Sequence, residues 1–121
     1  MNSRYALFIL VSMFAAACGS SSSSSTTAPT TTTGTPVSIV SGSSTLTTTA
    51  YSPNPVTVAV GGTVTWTNND SVAHNSVANN GAWTSGTIAP GGSFSMTFPS
   101  AGSFPYHCSI HPGMVGTVTV Q

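Results

Sequence analysis

The sequence predicts an all-β domain folded as a β-sandwich, preceded by an export signal and a polar linker. Apolar residues alternate with Ser, Thr or Ala over several short segments of the C-terminal part, as in strands with one buried and one solvated face. Turn residues separate these segments at close spacing, which is typical of a sandwich. Outside the N-terminal signal, no long stretch has the periodicity of an amphipathic helix.

Residues 1–17 have the layout of a secretory signal peptide. Arg4 precedes an apolar run from Tyr5 to Ala17, which is shorter than the roughly 20 residues that a membrane-spanning helix needs. Small residues then lead directly into Cys18, an arrangement that resembles the bacterial lipoprotein signal. We therefore expect lipid on Cys18 and a membrane-anchored protein in the bacterial periplasm or at the cell surface. The alternative is an ordinary cleaved signal peptide in which Cys18 has no role.

The segment that follows Cys18 is predicted to be a tether. From Gly19 to Thr35 the chain is almost entirely Ser and Thr. Such a segment has no large apolar side chains to bury, so it cannot offset its conformational entropy by folding, and we expect it to be disordered. The chain is thus divided into a signal peptide (1–17), a lipidated cysteine with a Ser/Thr-rich linker (18–35), and a folded domain (36–121).

Charged residues are almost absent. The sequence contains one Lys or Arg, which is Arg4, and one Asp or Glu, which is Asp70. Because Arg4 belongs to the predicted signal peptide, the mature protein has no Lys or Arg. Nucleic acid is excluded as a partner, since binding to its backbone needs several cations to displace counterions.

The individual strands are predicted from alternation and turns. The inward apolar positions are Val56, Val58 and Val60; Val64 and Trp66; Phe94, Met96 and Phe98; Phe104 and Tyr106; and Val118 and Val120. Gly61-Gly62 predicts a two-residue hairpin between the first two strands. Pro90-Gly91-Gly92 and Ala101-Gly102 predict turns before the next two. We expect antiparallel sheets, with Pro105 on an unpaired side of its strand or at a bulge.

A metal site is predicted on the loop between the last two strands. Cys108, His111 and Met114 follow one another at intervals of three residues. Soft sulfur suits Cu(I) and imidazole suits Cu(II), and a His₂Cys plane with a long axial Met is the arrangement of blue copper sites. Copper would also keep Cys108 reduced, because lipid on Cys18 would leave it without a disulfide partner. Zinc is the alternative metal, although it seldom binds a thioether.

The second histidine ligand must be His74 or His107. Neighbouring side chains on a strand point to opposite faces, so His107 faces away if Cys108 faces the metal. His74 lies in a polar loop after the strand through Trp66. We therefore predict that His74, Cys108, His111 and Met114 bind the metal. A fifth ligand, His107, is the alternative.

These motifs resemble those of the plastocyanin/azurin family of cupredoxins. The matching segments are Thr63–Asn68, His74-Asn75 and Tyr106–Met114, and the loop spacing is most similar to that of the amicyanins. The resemblance covers residues 50 to 121 and implies a Greek-key β-sandwich with one type 1 copper on the same four residues. It also implies that Asn75 hydrogen-bonds near the thiolate sulfur and ties the two ligand loops together.

The implied function is single-electron transfer by Cu(I)/Cu(II) cycling, by a monomer whose partners are unidentified redox proteins. A closed four-ligand site leaves no open position for a substrate, and Asp70 as the only acidic side chain gives no sign of a Ser-His-Asp set. We therefore expect no enzymatic activity. The alternative is a periplasmic copper carrier, or chaperone, that delivers Cu(I) and lacks a rapid, reversible redox couple.

Overall fold

The structure is a computed structural model that describes residues 34–121. The predicted signal peptide, Cys18 and all of the linker before Gly34 lie outside these residues. The described elements are β1 (Thr35–Ile39), a 3-10 helix (Ser43–Thr45), β2 (Tyr51–Ser52), β3 (Val56–Val58), β4 (Thr63–Asn68), β5 (Val77–Ala78), β6 (Ser93–Thr97), β7 (Gly102–His107) and β8 (Val115–Val120). Within this range, no helix has the length and hydropathy to cross a membrane.

The strands form two four-stranded sheets, with the orders β2-β1-β4-β6 and β3-β8-β7-β5. This arrangement confirms the predicted all-β sandwich. The expected antiparallel pairing holds for four of the six strand pairs. The other two are parallel, since β1 pairs with β4 and β3 pairs with β8 in that direction. A parallel pair needs a crossover connection, which the chain supplies by passing through the other sheet between β1 and β4. Alternation along a strand reports which face is buried and carries no information on the direction of its neighbour.

Gly61-Gly62 joins the two sheets and does not close a hairpin. β3 ends at Val58 and belongs to one sheet, whereas β4 belongs to the other. The Gly62 N–H donates to the Ala59 carbonyl at 2.8 Å, and Gly61 has a φ of 80°, which glycine adopts at little steric cost. Val60 lies at this crossover with 54% of its surface exposed, so the predicted alternation ends one apolar residue early. The turn predicted at Gly61-Gly62 is confirmed, whereas the prediction that it joins two strands of one hairpin is wrong.

Pro105 occupies a position in β7 that needs no N–H donor. Pro105 is opposite Thr117 of β8, and its carbonyl accepts a hydrogen bond from the Asn79 N–H at 2.9 Å. The missing N–H would point to that same side, towards β5. β5 ends at Ala78, and on that side Pro105 still pairs through its carbonyl with Asn79. The expected unpaired side is therefore not found, and Pro105 fits because it faces the chain just after the end of β5.

The hydrophobic core lies between the sheets and is centred on Trp66, which is fully buried. Its ring meets Tyr106 edge-on with centroids 5.4 Å apart, and lies 5.9 Å from Trp83 and 5.8 Å from Phe94. Aromatic pairs of this kind contribute about 0.5–1.5 kcal/mol each beyond their buried area. Phe94 lies on the edge strand β6 and is only partly buried. Of the aromatic residues predicted to face inward, Trp66, Phe98 and Tyr106 are buried, whereas Phe94 and Phe104 are partly buried.

Buried polar residues are concentrated in one region. They come from the 3-10 helix, the last residue of β4 and the chain between β4 and β5, and are Ser43, Asn68, Asp70, His74, Asn75 and Ser76. Buried polar groups need hydrogen-bond partners, and a concentration of them indicates that this region has a role besides packing.

Candidate metal centre

His74 has a fixed backbone. Its N–H donates to the Ile88 carbonyl at 3.2 Å, and the Ile88 N–H donates back to the His74 carbonyl at 2.8 Å. The buried side chain of Asn68, at the end of β4, donates to the carbonyls of Val72 and Ile88 at 2.8 and 2.9 Å. The strand end and the following segment are thus joined on both sides of His74, whose side chain is fully buried.

The second loop joins β7 to β8. Cys108 follows the last residue of β7, and Met114 precedes the first residue of β8. The Cys108 N–H donates to the Met114 carbonyl at 3.1 Å, and the Met114 N–H donates to the His111 carbonyl at 3.0 Å, so the loop is closed by its own backbone. The side chains of Cys108 and Met114 are fully buried, whereas His111 is half-buried. Among residues 34–121 the Cys108 thiol has no disulfide partner.

Three side chains from the two loops converge on one point. The Nδ1 atoms of His74 and His111 are 3.1 Å apart, and Cys108 Sγ lies 3.9 Å from His74 Nδ1. The ligand atoms of all three lie within 4.8 Å of one another. Atoms bonded to one metal ion at about 2.0–2.3 Å are themselves about 3–4 Å apart. The donor set and its spacing therefore fit a single metal ion.

The other two sequence candidates have different positions. Met114 is buried, and its backbone is hydrogen-bonded to the backbones of Cys108 and His111. Its role as a fourth ligand stays a prediction. His107 is outside the cluster, with its Nδ1 paired to Asn79 Oδ1 at 2.6 Å. Strand alternation explains why His107 and Cys108 point apart.

Asp70 fixes the ring of His74. Asp70 Oδ2 accepts a hydrogen bond from His74 Nε2 at 2.7 Å, and the N–H groups of Gly42 and Ser71 donate to Oδ1 at 3.0 and 2.8 Å. The bond from His74, followed by those from Gly42 and Ser71, holds the pKa of Asp70 well below its usual range. An ionised carboxylate only accepts hydrogen bonds. His74 Nε2 therefore carries the proton, and Nδ1 is left to bind a metal.

Ser43 completes this network without making a catalytic set. Its hydroxyl donates to Asp70 Oδ2 at 3.2 Å and lies 3.0 Å from His74 Nε2. In a hydrolytic triad the serine and the carboxylate contact opposite nitrogens of the histidine. Here both contact Nε2, so the histidine cannot take a proton from the serine and share its other N–H with the aspartate.

Asn75 connects the two ligand loops. Its side-chain oxygen accepts from the Ser109 N–H at 2.8 Å, and its NH₂ group donates to the Ser109 hydroxyl at 2.7 Å. Ser109 directly follows Cys108, so the bridge lies one residue from the thiol. The Tyr51 hydroxyl donates to the Asn75 carbonyl at 2.7 Å. Burial and the neighbouring Cys108 raise the pKa of Tyr51, so the phenol remains a donor.

The sequence interpretation missed three residues of this site: Asp70, Ser43 and Tyr51. Asp70 had a signal, because the only acidic residue of the chain lies four positions before His74. Ser43 is 31 positions from His74 and lies among many other Ser and Thr residues. Nothing in the sequence distinguishes it or Tyr51 from their neighbours.

Comparison with known proteins identifies the family. The model of copper binding proteins of the plastocyanin/azurin family matches residues 38–121. The chain is 39% identical over 84 residues to plastocyanin of Scenedesmus fuscus, covering 59% of this chain and 86% of the relative. It is 36% identical over 76 residues to amicyanin of Paracoccus denitrificans, covering 59% of this chain and 58% of that relative. The match thus spans little more than half of the amicyanin.

A solved structure gives the same result. The chain is similar to a novel purple cupredoxin from Nitrosopumilus maritimus, with a TM-score of 0.67 and 38% identity, covering 72% of this chain and 99% of that one. Copper is therefore the metal for which the cluster of His74, Cys108 and His111 is suited. The resemblance inferred from the sequence motifs is confirmed, and the chain belongs to the plastocyanin/azurin family of copper-binding cupredoxins.

Proposed function

We propose that this protein transfers single electrons through one type 1 copper. The observation that carries the proposal is the convergence of the buried Cys108 thiol with the Nδ1 atoms of His74 and His111. These three residues would hold the metal, with Met114 as a weak fourth ligand. When bound, copper supplies a reversible one-electron couple, for which sulfur and imidazole ligands are suited.

The polypeptide holds its ligands in place and leaves access at a single residue. His74, Cys108 and Met114 are fully buried, and backbone hydrogen bonds fix the residues around them. His111 is the one member of the predicted set that is partly exposed. An electron would enter and leave through its exposed edge, while the remaining ligands stay shielded from water. An arrangement of this kind favours electron transfer over catalysis, because no ligand position is left for a substrate.

Copper loading of the purified protein tests the proposal. We expect one copper per chain, an intense visible absorption from the Cys108 thiolate, and a reversible couple in voltammetry. Copper binding without a reversible couple would instead support a copper carrier. Failure to bind copper would contradict both. The wavelength of the absorption is informative, because we expect a blue site and a similar solved structure is named as a purple cupredoxin.

We also propose that the domain acts outside the cytoplasm, anchored by lipid on Cys18. The apolar run before Cys18 and the Ser/Thr-rich segment after it support this location. In a bacterial host, Cys18→Ser should move the protein from the membrane fraction to the soluble fraction. Mass spectrometry of the N-terminal peptide should show an acylated cysteine in the unsubstituted protein. Unchanged fractionation of the variant would contradict the anchor.

The partners we propose are redox proteins that dock on an uncharged patch around His111. On the same loop as His111, Ile110 has 46% of its surface exposed, and Pro112 and Gly113 are also exposed. Residues 34–121 include no Lys or Arg, so charge steering has little to act on. Charge steering would then contribute little to the encounter, and a lipid tether would instead raise the effective concentration of this protein near membrane-bound partners.

A further inference from the structure

We propose that Asp70 is a positioning residue that fixes His74 for copper and lowers the reduction potential of the site. This inference rests on the proposed copper function and adds to it a residue that binds no metal itself. Asp70 acts through the 2.7 Å hydrogen bond to His74 Nε2.

The Asp70 carboxylate is fully occupied by donors. Oδ1 accepts from the N–H groups of Gly42 and Ser71, and Oδ2 accepts from the Ser43 hydroxyl and from His74. Four donors on two oxygens leave the carboxylate one orientation, and the imidazole bonded to it is held in the same way. The other ring nitrogen of His74, Nδ1, then faces Cys108 and His111. Carboxylates that hold a metal-binding histidine by its other nitrogen fix both its tautomer and its orientation.

The 3-10 helix is part of this device. Gly42 precedes the helix with a φ of 74°, a conformation that favours glycine, and in it the Gly42 N–H and the Ser43 hydroxyl both donate to the carboxylate. Gly42 lies 28 residues before Asp70 in the sequence. A segment remote from both ligand loops thus anchors the ring of a ligand in one of them.

The charge of Asp70 has no cationic side chain to balance it. Residues 34–121 contain no Lys or Arg and no other Asp or Glu, and only 5% of the Asp70 side chain is exposed. With copper bound at the cluster, Cu(II), the Cys108 thiolate and the Asp70 carboxylate would sum to zero, and one-electron reduction to Cu(I) would bring the sum to −1. A buried negative charge therefore stabilises Cu(II) more than Cu(I), which lowers the potential relative to a neutral partner.

A purely structural role for Asp70 predicts different outcomes. In that case the carboxylate would only stabilise the fold of its loop, and its charge would not reach the copper. The discriminating measurements are the protonation pattern of His74 and the ratio of Cu(II) to Cu(I) affinity, since neither follows from the stability of a loop.

The first experiment uses the metal-free protein. ¹⁵N NMR of the His74 ring at neutral pH should show the proton on Nε2, and a proton found on Nδ1 would overturn the proposal. This measurement needs no variant. It is also independent of copper binding, so its failure is distinguishable from a failure of the proposed function.

The second experiment compares copper-loaded variants. Asp70→Asn should weaken Cu(II) binding by about 10- to 100-fold, the usual effect of removing such a partner, with a smaller effect on Cu(I). For each tenfold fall in the affinity ratio the potential should rise by about 59 mV. An unchanged potential in a folded, copper-loaded Asp70→Asn variant would overturn the proposal, while wild-type copper binding and redox cycling would leave the proposed function intact.

Two matched controls distinguish the bond from Asp70 to His74 from the net charge of the protein and from the stability of the loop. The double variant Asn69→Asp/Asp70→Asn keeps the net charge but moves it to an exposed neighbour; its potential should stay close to that of Asp70→Asn. Full restoration of the wild-type potential would overturn the claim that the bond to His74 matters. Ser43→Ala removes one donor and keeps both the charge and that bond, so its potential should change far less. An equal shift in Ser43→Ala would show that Asp70 acts through the loop alone.

Discussion

The two loops that supply the candidate ligands are held in different ways. His74 and the two residues after it are buried, and side chains fix this segment. Asn68 donates to the carbonyls of Val72 and Ile88, and Asp70 accepts a hydrogen bond from the His74 ring. The loop from Cys108 to Met114 is closed by its backbone. Between these ends four residues are exposed and His111 is half-buried. The loop that carries His74 is thus the more rigid one, and the loop that carries His111 is the one that a partner can reach. A site that exchanges electrons needs both, since a ligand set that moves little must still come close to a partner.

The largest effect is expected when the thiolate is removed. Cys108→Ser should abolish the intense visible absorption, because the Cys108 sulfur is the charge-transfer donor. The substitution conserves the size of a buried side chain, so circular dichroism should still report a folded sandwich. A variant that kept the band would remove Cys108 from the predicted ligand set.

The comparison between the two histidines is tested by replacing each with glycine. We expect His111→Gly to regain most of its absorption when free imidazole is added, because this side chain reaches the surface. His74→Gly should regain little, since its position is fully buried and Asp70 would be left without its partner. Absorption titrations with imidazole measure both. Equal rescue of the two variants would break the proposed division between a rigid and an accessible loop.

The bridge between the loops is tested at Asn75. Asn75→Ala removes both bonds to Ser109. It should reduce copper affinity by about 10- to 100-fold and the free energy of unfolding by about 1–3 kcal/mol, the net contribution of two hydrogen bonds. The matched control Ser109→Ala keeps the bond from its backbone N–H, so it should lose only about 0.5–1.5 kcal/mol. Denaturant unfolding and competition for copper measure the two quantities. An equal loss in both variants would assign the effect to the Ser109 hydroxyl.

A smaller effect, on the reduction potential, is expected when Met114 is replaced. Met114→Leu should keep the colour and raise the reduction potential, because loss of a weak axial donor destabilises Cu(II) more than Cu(I). Met96→Leu, at a half-buried position of β6, is the control and should leave the potential unchanged. Voltammetry of the two variants decides the point, and equal potentials would show that Met114 is not a ligand.

The smallest effect concerns salt. We expect the electron self-exchange rate of the purified protein to change less than about threefold between roughly 10 and 500 mM salt, since few exposed charges are available for screening. Stopped-flow or NMR line broadening gives the rate. A fall of about tenfold or more would show that charge, and not the uncharged patch around His111, controls the encounter.

Much of the candidate site could be predicted from the sequence because three of its four candidate ligands lie on one short loop. Cys108, His111 and Met114 lie on one loop, and their spacing and chemistry carry the copper assignment. Strand alternation also placed His107 outside the cluster. By contrast, Asn75 was assigned a role only through the family resemblance, and its partner, the Ser109 backbone, is 34 residues away. The network around Asp70 was not predicted, because hydroxyl and carboxylate partners carry no periodic signal.

The sequence by itself determined the all-β class, the turns and the chemistry of the ligand loop, since these follow from alternation, glycine and proline positions, and metal preference. Only the tertiary structure decided the pairing of strands. β3 and β4 are consecutive yet lie in different sheets, and β1 pairs in parallel with β4. It also decided that Gly42, Ser43 and Asp70 meet at the ring of His74. The physical reason is that side-chain pattern depends on which face of a strand is buried, whereas strand partners and remote hydrogen bonds depend on how the whole chain closes around its core.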